Sequence, residues 1–383
     1  MQKKYLMTPG PTPVPSEVLL ATAEPMIHHR TTDFEAVVRE CVEGLKYVFQ
    51  TEGDVLILAS SGTGAMESSI SNCFCPGDKI LIAQNGKFGE RMASIAKVYG
   101  LDVHVLAYGW QQVISPQDVA DFLSANPDTR GVVVTQSETS SGVLNDAAAI
   151  GAIVRDWPEC ILIVDSITGI GAVDCRTDEW GLDVVMTGSQ KGLMLPPGLA
   201  AVSVSAKAWQ AYSRSTLPKY YFDWMKYKKN LVDDTTPFTP AVSLMKGLAV
   251  SLKMMREEGL ENIFARHAQL AEAARQGAEA LGLELFAPPE GRGNAVTTVW
   301  VPAEIDGKKL VNLMKDKYGV TVAGGQDDYV GRIFRIGHLG HFEGFDIITT
   351  IAALEMSLTE LGYVFEAGSG IRAAEAVLMQ QED

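Results

Sequence analysis

The segment CILIVDSITGIGAVDCRTDEWGLDVVMTGSQK, residues 160–191, contains two apolar runs that each lead into an ionisable side chain. The first run ends in Asp165, and the second leads through a short polar turn into Lys191. Both runs have the length and the branched side chains of strands buried in a parallel sheet. An acid and an amine in such apolar surroundings need a partner, so they either pair with each other or face the same ligand. We favour a shared ligand.

The composition is that of a large globular protein. The chain has 383 residues, of which 46% are hydrophobic, and a formal net charge of −15 at pH 7. This length predicts one large domain with a smaller companion. The acidic balance argues against a nucleic-acid partner, because binding to nucleic acid requires Lys and Arg clustered on one face.

The cysteines and the start of the chain indicate the compartment. The five cysteines are odd in number, and Cys73 and Cys75 lack the second pair of ligands that a zinc site needs. We therefore expect reduced cysteines in a cytoplasmic protein with no metal site. The proline-rich start, MQKKYLMTPGPTPVP, has no signal-peptide core, and no apolar stretch is long enough to span a bilayer.

Seven apolar runs rich in branched residues follow one another from Asp54 onward, and polar helical stretches separate most of them. They are VLILAS, KILIAQ, VHVLAY, GVVVTQ, ILIVD, DVVMTG and LAAVSV. This alternation predicts an α/β fold in which helices cover a mostly parallel seven-stranded sheet. Ligands of such sheets bind beyond the carboxyl ends of the strands, so the informative residues should follow each run.

The chain divides into three parts. Prolines make residues 1–15 an extended arm, and residues 16–258 hold the seven runs of a large cofactor-binding domain. From residue 259 the strand-like runs NAVTTVWV and RIFRIG alternate with helical segments, which predicts a smaller C-terminal α/β domain over 259–383. We expect a surface helix after Gly368, with its last few residues frayed.

A phosphate site is predicted after the first run. Ser61, Gly62 and Thr63 follow that run, and a helical stretch begins at Ala65. Small residues before a helix let its free N–H groups and positive dipole end approach a phosphate. A dinucleotide fingerprint is the rival interpretation, but Glu67 stands where its third glycine should be. We rank that interpretation below a single phosphate monoester.

Two further strand ends carry side chains that suit a planar polar ligand. Phe88 lies between glycines after the second run, where it either stacks on a ring or opens the next helix as a core residue. The segment 137–141 after the fourth run is rich in hydroxyls. We expect one or two of its side chains to cap the helix that begins near Asp146, and the others to face the site.

Several charged groups remain. Arg335 stands inside an otherwise apolar strand, where it needs either a bound anion or an internal ion pair. His338 and His341 have a metal-like spacing but no nearby acid on the same element, so we assign them a structural role. Residues 28–30, two histidines and an arginine, either form a surface turn or contact an active site.

These groups together match one cofactor, pyridoxal 5′-phosphate, held as a Schiff base on Lys191. Desolvation beside a cationic ring favours the neutral amine that attacks the aldehyde. Asp165 would pair with the protonated ring nitrogen and keep the ring an electron sink. Lys191 would then carry the proton between the substrate's α-carbon and the cofactor.

The chain contains seven short motifs whose order along the sequence matches that of a known family. They are TPGP (8–11), SGTGAME (61–67), SETSSG (137–142), VDS (164–166), GSQKGLMLPPG (188–198), TTPFTP (235–240) and FRIGHLG (334–340). Through them nearly the full chain resembles the fold-type I, class V aminotransferases, and within these the alanine–glyoxylate and serine–pyruvate (serine–glyoxylate) group. The resemblance implies a pyridoxal-phosphate-dependent homodimer whose active sites lie at the subunit interface.

The resemblance also implies a role for individual residues. By this similarity Lys191 is the Schiff-base lysine, Asp165 the partner of the pyridine nitrogen and Arg335 the clamp on the substrate carboxylate. By the same similarity the cofactor's phosphate is contacted by Ser61, Gly62, Thr63 and Gln190, and its ring by Phe88 and Thr139. Gly10 lines the substrate pocket. The loop holding Thr236 and Thr239 reaches the phosphate bound by the partner subunit. Phe88 and Thr63 replace a tryptophan and a histidine of the mammalian relatives. The loop lacks their tyrosine, which leaves open which threonine binds phosphate.

The implied activity is a ping-pong transamination in which alanine or serine gives its amino group to glyoxylate or pyruvate. Phosphoserine, aminoethylphosphonate and ureidoglycine are alternative donors, and a non-catalytic binding subunit is the alternative from another class. Cysteine desulfurases need a cysteine after the Schiff-base lysine, whereas all five cysteines here precede Lys191.

Overall fold

The computed structural model describes residues 3–380. The strands are β1 (Tyr5–Leu6), β2 (Asp54–Leu58), β3 (Lys79–Gln84), β4 (Asp102–Ala107), β5 (Gly131–Thr135), β6 (Ser137–Glu138), β7 (Val143–Leu144), β8 (Ile161–Asp165), β9 (Val184–Gly188), β10 (Ala200–Val204), β11 (Val296–Trp300), β12 (Val320–Thr321), β13 (Ala323–Gly324) and β14 (Ile333–Gly337). The helices are α1 (Ser16–Ala23), α2 (Thr32–Phe49), α3 (Gly62–Cys73), α4 (Lys87–Val98), α5 (Pro116–Ala125), α6 (Ala147–Val154), α7 (Ala206–Arg214), α8 (Trp224–Leu231), α9 (Val242–Glu258), α10 (Leu260–Ala280), α11 (Gly307–Asp316), α12 (Gly344–Glu360) and α13 (Ser369–Leu378). These elements account for all seven predicted strands.

The large sheet has seven strands in the order β2-β10-β9-β8-β5-β3-β4. The strands from β9 to β4 in this order pair in parallel, whereas β10 runs antiparallel to both of its neighbours. The predicted mostly parallel α/β sheet is therefore confirmed. Residues of β8 alternate between two apolar cores, since Leu162 and Val164 belong to one cluster and Ile161 and Ile163 to the other. Cores on both faces explain why the run has no polar alternation.

The parallel register brings the functional strand ends together. Asp165, the last residue of β8, lies opposite Thr135 of β5 on one side and Met186 of β9 on the other. Because the carboxyl ends of parallel strands share one edge, the turn after β9 that carries Lys191 lies at the same edge as Asp165. The predicted grouping of these two residues follows from this register.

A smaller three-stranded sheet, β11-β14-β13, carries Arg335 in its central strand. The N-terminal arm reaches this part of the molecule, because β1 pairs in parallel with β12. Helix α9 ends at Glu258 and α10 begins at Leu260, which is where the sequence pattern changes. The division into domains at residue 259 stays a prediction.

Two expectations about helix starts were wrong. Helix α3 begins at Gly62 rather than Ala65, so the glycines belong to its first turn. Helix α6 is capped by the Asp146 carboxylate, which accepts from the N–H of Ala149, and the hydroxyls of 137–141 do not cap it. The predicted C-terminal helix is present as α13, whereas the predicted frayed end falls on residues 381–383, outside the described residues.

All five cysteines are free thiols, as expected. Within residues 3–380, no helix combines the length and the hydropathy needed to cross a bilayer.

Candidate active site

Lys191 is buried, with 7% of its surface exposed, and its Nζ donates a hydrogen bond to the carbonyl of Pro9. Burial and the positive charge of Arg335 lower the pKa of its amine to about 8. The residue is thus an amine with an enlarged neutral fraction near neutral pH, held by a carbonyl rather than by a carboxylate.

Asp165 is 2% exposed and only half satisfied. Its Oδ1 accepts from the N–H of Ile167 at 3.0 Å, whereas its Oδ2 has no hydrogen-bond partner among the described residues. Burial raises the pKa of this carboxyl to about 7. The ion pairs of the described chain do not include one between Asp165 and Lys191, so the direct pairing considered from the sequence does not form in residues 3–380.

The N-terminal arm closes over Lys191. A Cβ atom on Gly10 would lie 2.6 Å from Nζ of Lys191, and Gly10 has φ +133°, a conformation that other residues rarely adopt. Thr12 donates its N–H to the carbonyl of Gln190 at 3.2 Å and its hydroxyl to the carbonyl of Lys191 at 3.2 Å. The arm thereby fixes the backbone on which the lysine stands.

The first turn of α3 lies against the Asp165 turn. A Cβ on Gly62 would come within 2.5 Å of the Ile167 side chain, so this glycine permits the close approach. Ser61 precedes the helix, and in the described part of the chain its side chain does not cap the first N–H groups of α3. The Thr63 hydroxyl accepts from Nη1 of Arg91 at 3.2 Å. Free N–H groups and a nearby guanidinium make this end of α3 suited to an anion.

Phe88 lies in the first turn of α4, where it is half-buried. The guanidinium of Arg91, one turn later in the helix, lies 4.7 Å from the centroid of the Phe88 ring. The ring is therefore supported by a cation that also contacts Thr63 of the neighbouring helix.

The hydrogen-bond partners of Arg335 within residues 3–380 are all neutral carbonyl groups. Its Nε and Nη2 donate to the carbonyl of Gly324 at 3.2 and 2.8 Å, and its Nη1 donates to the carbonyl of Thr139 at 2.9 Å. Burial lowers the pKa of this guanidinium to about 10. The internal ion pair considered from the sequence does not form within residues 3–380, so a buried cation is left for an external anion.

The sequence matches the model of the family described as aminotransferase class-V over residues 4–329. The chain belongs to the class V aminotransferase family. A serine–glyoxylate aminotransferase of Methylorubrum extorquens is 36% identical over 99% of this chain and 96% of its own. A soluble hydrogenase 42 kDa subunit of Anabaena cylindrica is 47% identical over 98% of both chains.

Solved structures confirm the predicted fold type of this aminotransferase. The crystal structure of ureidoglycine–glyoxylate aminotransferase from Bacillus subtilis superposes with a TM-score of 0.94 at 28% identity, covering 99% of both chains. The resemblance to class V aminotransferases and the prediction of an enzyme are confirmed by the family match.

Among residues 3–380, no hydrogen bond joins the TTPFTP loop of this aminotransferase to Lys191. Thr236 is buried, and its hydroxyl donates to the carbonyl of Phe238 at 2.8 Å. Thr239 is exposed and lines a surface cavity of about 550 Å³ beside His28 and His29.

Residues 28–30 contact this loop through Arg30. His338 and His341, by contrast, do not form a shared binding site. Arg30 donates to the hydroxyl of Thr235. His338 is buried and lies 2.9 Å from the Thr297 hydroxyl and 3.0 Å from the Asn294 carbonyl, while His341 is exposed. Residues 3–380 contain no group of three side chains able to hold a metal ion.

Two residues near the site were missed by sequence reasoning. Glu138 was grouped with the hydroxyl cluster, yet its carboxylate is fully buried and hydrogen-bonded to the first turn of α4. Arg91 was not singled out at all. Both had a usable signal, because Glu138 follows a buried strand as Asp165 does, and Arg91 lies one helical turn after Phe88.

Proposed function

We propose that this aminotransferase binds pyridoxal 5′-phosphate and transfers the amino group of alanine or serine to glyoxylate or pyruvate by a ping-pong mechanism. The observation that carries the proposal is the Oδ2 of Asp165, which has no hydrogen-bond partner in residues 3–380. A buried carboxylate oxygen without a donor is costly, and the N–H of a protonated pyridine ring is the donor it lacks.

The other residues fit the same group. The N–H groups of Gly62 and Thr63 and the side chain of Gln190 are suited to its phosphate, and Phe88 to its ring. When bound, the cofactor supplies an electron sink for the charge that develops at the substrate's α-carbon. Asp165 would keep the ring nitrogen protonated, because the opposite charge favours the ionised form of this carboxyl.

Lys191 would hold the cofactor's aldehyde carbon and move the proton. With a pKa of about 8, its amine is partly neutral near neutral pH and able to attack a carbonyl. With its amine free, Nζ would take the proton from the substrate's α-carbon as a general base and would deliver it to the cofactor's aldehyde carbon as a general acid. The Pro9 carbonyl orients the amine for this task.

Arg335 would bind the substrate carboxylate. Its guanidinium has no anionic partner within residues 3–380, and a carboxylate matches its planar donors. Small substrates are supported by the names of two relatives, which both act on glyoxylate by their printed descriptions.

The enzyme would act as a cytoplasmic homodimer. Thr239 is the threonine we assign to the partner's phosphate, because it is exposed while the Thr236 hydroxyl is occupied within its own loop. Reduced cysteines support the compartment. The loop of one subunit would thus complete the phosphate-binding site of the other.

A subunit role is a second candidate, favoured by the name of the 47% identical relative from Anabaena cylindrica. That name describes the relative, and for this chain the role predicts stable association with other proteins and no turnover on its own. The two candidates differ in whether the purified chain transfers amino groups.

The test is steady-state kinetics of the purified protein with added pyridoxal 5′-phosphate. A panel of amino donors, including alanine, serine, aspartate, phosphoserine, aminoethylphosphonate and ureidoglycine, is assayed against glyoxylate and pyruvate. We expect parallel double-reciprocal lines and the highest kcat/KM for alanine or serine with glyoxylate. A cofactor-loaded protein that transfers from none of these donors would overturn the proposal.

A further inference from the structure

Glu138 is a buried carboxylate whose two oxygens contact different walls of the candidate active site. Its Oε2 accepts from the N–H groups of Phe88 at 3.0 Å and Gly89 at 3.4 Å. Its Oε1 accepts from the N–H and the hydroxyl of Ser140 at 3.0 and 2.6 Å. Four hydrogen bonds satisfy a group that would be costly to bury alone.

The first wall is the start of α4. Its opening N–H groups have no partners within the helix, and the Glu138 carboxylate fills that place. The chain leaves room for it at Gly86, where a Cβ atom would lie 2.4 Å from Cγ of Glu138. The orientation of the Phe88 ring therefore depends on a side chain that follows β5.

The second wall is the turn after β5. Ser140, held by Glu138, is adjacent to Thr139, whose carbonyl accepts from Nη1 of Arg335 at 2.9 Å. The Thr139 hydroxyl is 2.6 Å from that of Thr168, in the turn after β8. The Glu138 carboxylate thus joins the helix that bears Phe88 to the turn that supports Arg335, and the Ser140 hydroxyl adds a second link by accepting from the N–H of Lys87 at 3.0 Å.

The charge of Glu138 also acts inside the site. Burial lowers the pKa of Arg335 and Lys191 and raises that of Asp165; the negative charge of Glu138 opposes the first two shifts and adds to the third. Among the described residues, these interactions make Glu138 the acidic group that offsets the buried Arg335.

We propose that Glu138 is a positioning residue that holds the Phe88 ring and the Arg335 guanidinium in one frame, so that cofactor plane and substrate carboxylate keep a fixed mutual orientation. The inference rests on the proposed function, since it takes Phe88 as the stacking ring and Arg335 as the carboxylate clamp. It concerns the geometry between them, which that function alone does not specify.

The test compares Glu138→Gln with Glu355→Gln in the holoenzyme. Glu355 is a matched control, because it is 7% exposed and accepts three backbone N–H groups, from Gly368, Gly370 and Ile371, near α13. Glutamine keeps the size but offers one acceptor oxygen where carboxylate offered two. The measurements are the visible circular dichroism of bound cofactor, the borohydride-fixed label on Lys191, and kcat and KM for the amino donor.

For Glu138→Gln we expect a label on Lys191 equal to that of the wild type, an altered dichroic band, and a KM for the amino acid raised about tenfold or more. Glu355→Gln should leave all three readouts unchanged. Ser140→Ala removes the hydroxyl bond to Oε1 and the acceptor for the N–H of Lys87, but leaves the carboxylate bonded to Phe88 and Gly89. It should shift the same two readouts by a smaller amount and serves if Glu138→Gln fails to fold.

The inference is overturned if Glu138→Gln keeps the wild-type dichroism and KM, or if Ser140→Ala does so when it is the folded variant. Its failure is distinguishable from failure of the proposed function, because the latter would already show in the wild type as no label on Lys191 and no transfer.

Discussion

The absence of a side chain at Gly10 leaves space for the Lys191 side chain. A methyl group there would lie 2.6 to 2.8 Å from the last three atoms of the lysine side chain. We predict that Gly10→Ala displaces the amine and abolishes cofactor attachment to Lys191. The measurement is the borohydride-fixed label at saturating pyridoxal 5′-phosphate.

Gly77→Ala is the control for this substitution. Gly77 also has positive φ, +82°, but no atom of the described residues lies within 4 Å of its Cβ position. It should cost only the backbone strain, about 1–2 kcal/mol of stability, and leave the label intact. If Gly10→Ala is labelled as fully as Gly77→Ala, the close approach of Gly10 to Lys191 is not needed for cofactor attachment.

Arg335 carries the second residue-scale prediction. Arg335→Gln should lower kcat/KM for an amino acid by about 10- to 150-fold, the loss of a hydrogen bond to a charged group, because a neutral side chain remains near the carboxylate. Cofactor affinity should change little. The exposed Arg332, which packs over Trp300 and Tyr329, provides the control Arg332→Gln. Equal losses of cofactor affinity and kcat/KM would assign Arg335 a structural role instead.

Single residues were predictable where the signal is local. Asp165 and Lys191 stand out because each follows an apolar run, and burial of the run fixes the surroundings of its last residue. Glu138 did not stand out, since its partners Phe88 and Gly89 are about fifty residues earlier in the chain and only the β3–β5 pairing brings them close. Sequence spacing contains no record of such a contact.

Among the elements, helix starts were the least predictable. Gly62 and Gly64 have low helix propensity, so the sequence suggested that α3 begins after them. The structure starts the helix at Gly62, because its backbone packs on Ile167 where a side chain would not fit. Tertiary packing overrides local propensity here, and the result is that the predicted anion site is a helix turn rather than a loop.

The α10 helix stabilises the turn after β14 through a neutral histidine. His267 is buried, with Nδ1 2.6 Å from the Ile263 carbonyl and Nε2 accepting from the N–H of Gly340 at 2.8 Å. A carbonyl only accepts, so Nδ1 carries the proton and Nε2 must be free of one. Burial lowers the pKa of His267 to about 3. Protonation would remove the bond to Gly340.

This arrangement predicts a pH dependence of stability. Because the folded pKa lies below the unfolded value of 6.5, the contribution of His267 is complete above pH 6.5 and falls by roughly 1.4 kcal/mol per pH unit towards pH 3. The unfolding temperature should therefore drop more between pH 7.5 and 5.0 for the wild type than for His267→Gln. His338, whose pKa burial also lowers, acts in the same direction in both proteins. Equal drops would show that His267 is protonated in the folded state.

For the whole molecule, the sequence predicted the strands but not their order. Each run of β3, β5, β8 and β9 shows its own burial pattern, whereas the order β2-β10-β9-β8-β5-β3-β4 depends on pairings between distant segments. The antiparallel direction of β10 could not be predicted from its residues, AAVSV, because they are all buried like those of a parallel strand. Topology is a property of the chain's long connections rather than of any one run.

The proposed dimer yields a prediction at the same scale. Thr239→Val should weaken cofactor binding at the partner's site, because it removes the side-chain hydroxyl that would donate a hydrogen bond to the phosphate. In a hybrid of a Thr239→Val subunit with a Lys191→Ala subunit, the intact lysine receives an intact Thr239 from its partner. Equilibrium titration should then show one site of wild-type affinity per hybrid dimer. If the site with the intact lysine binds weakly in the hybrid, Thr239 serves its own subunit, and if the Thr239→Val homodimer keeps wild-type affinity, Thr239 contacts neither phosphate.

The central claim is that Asp165 and Lys191 act on one cofactor from its two ends. The most direct measurement is titration of the protein with pyridoxal 5′-phosphate, followed by borohydride reduction and peptide mapping, in the wild type, Lys191→Ala and Asp165→Asn. We expect one label per chain on Lys191, none in Lys191→Ala, and in Asp165→Asn a retained label with weaker binding and a shifted visible band. A label on another lysine, or an Asp165→Asn protein that matches the wild type in affinity and spectrum, would contradict the account.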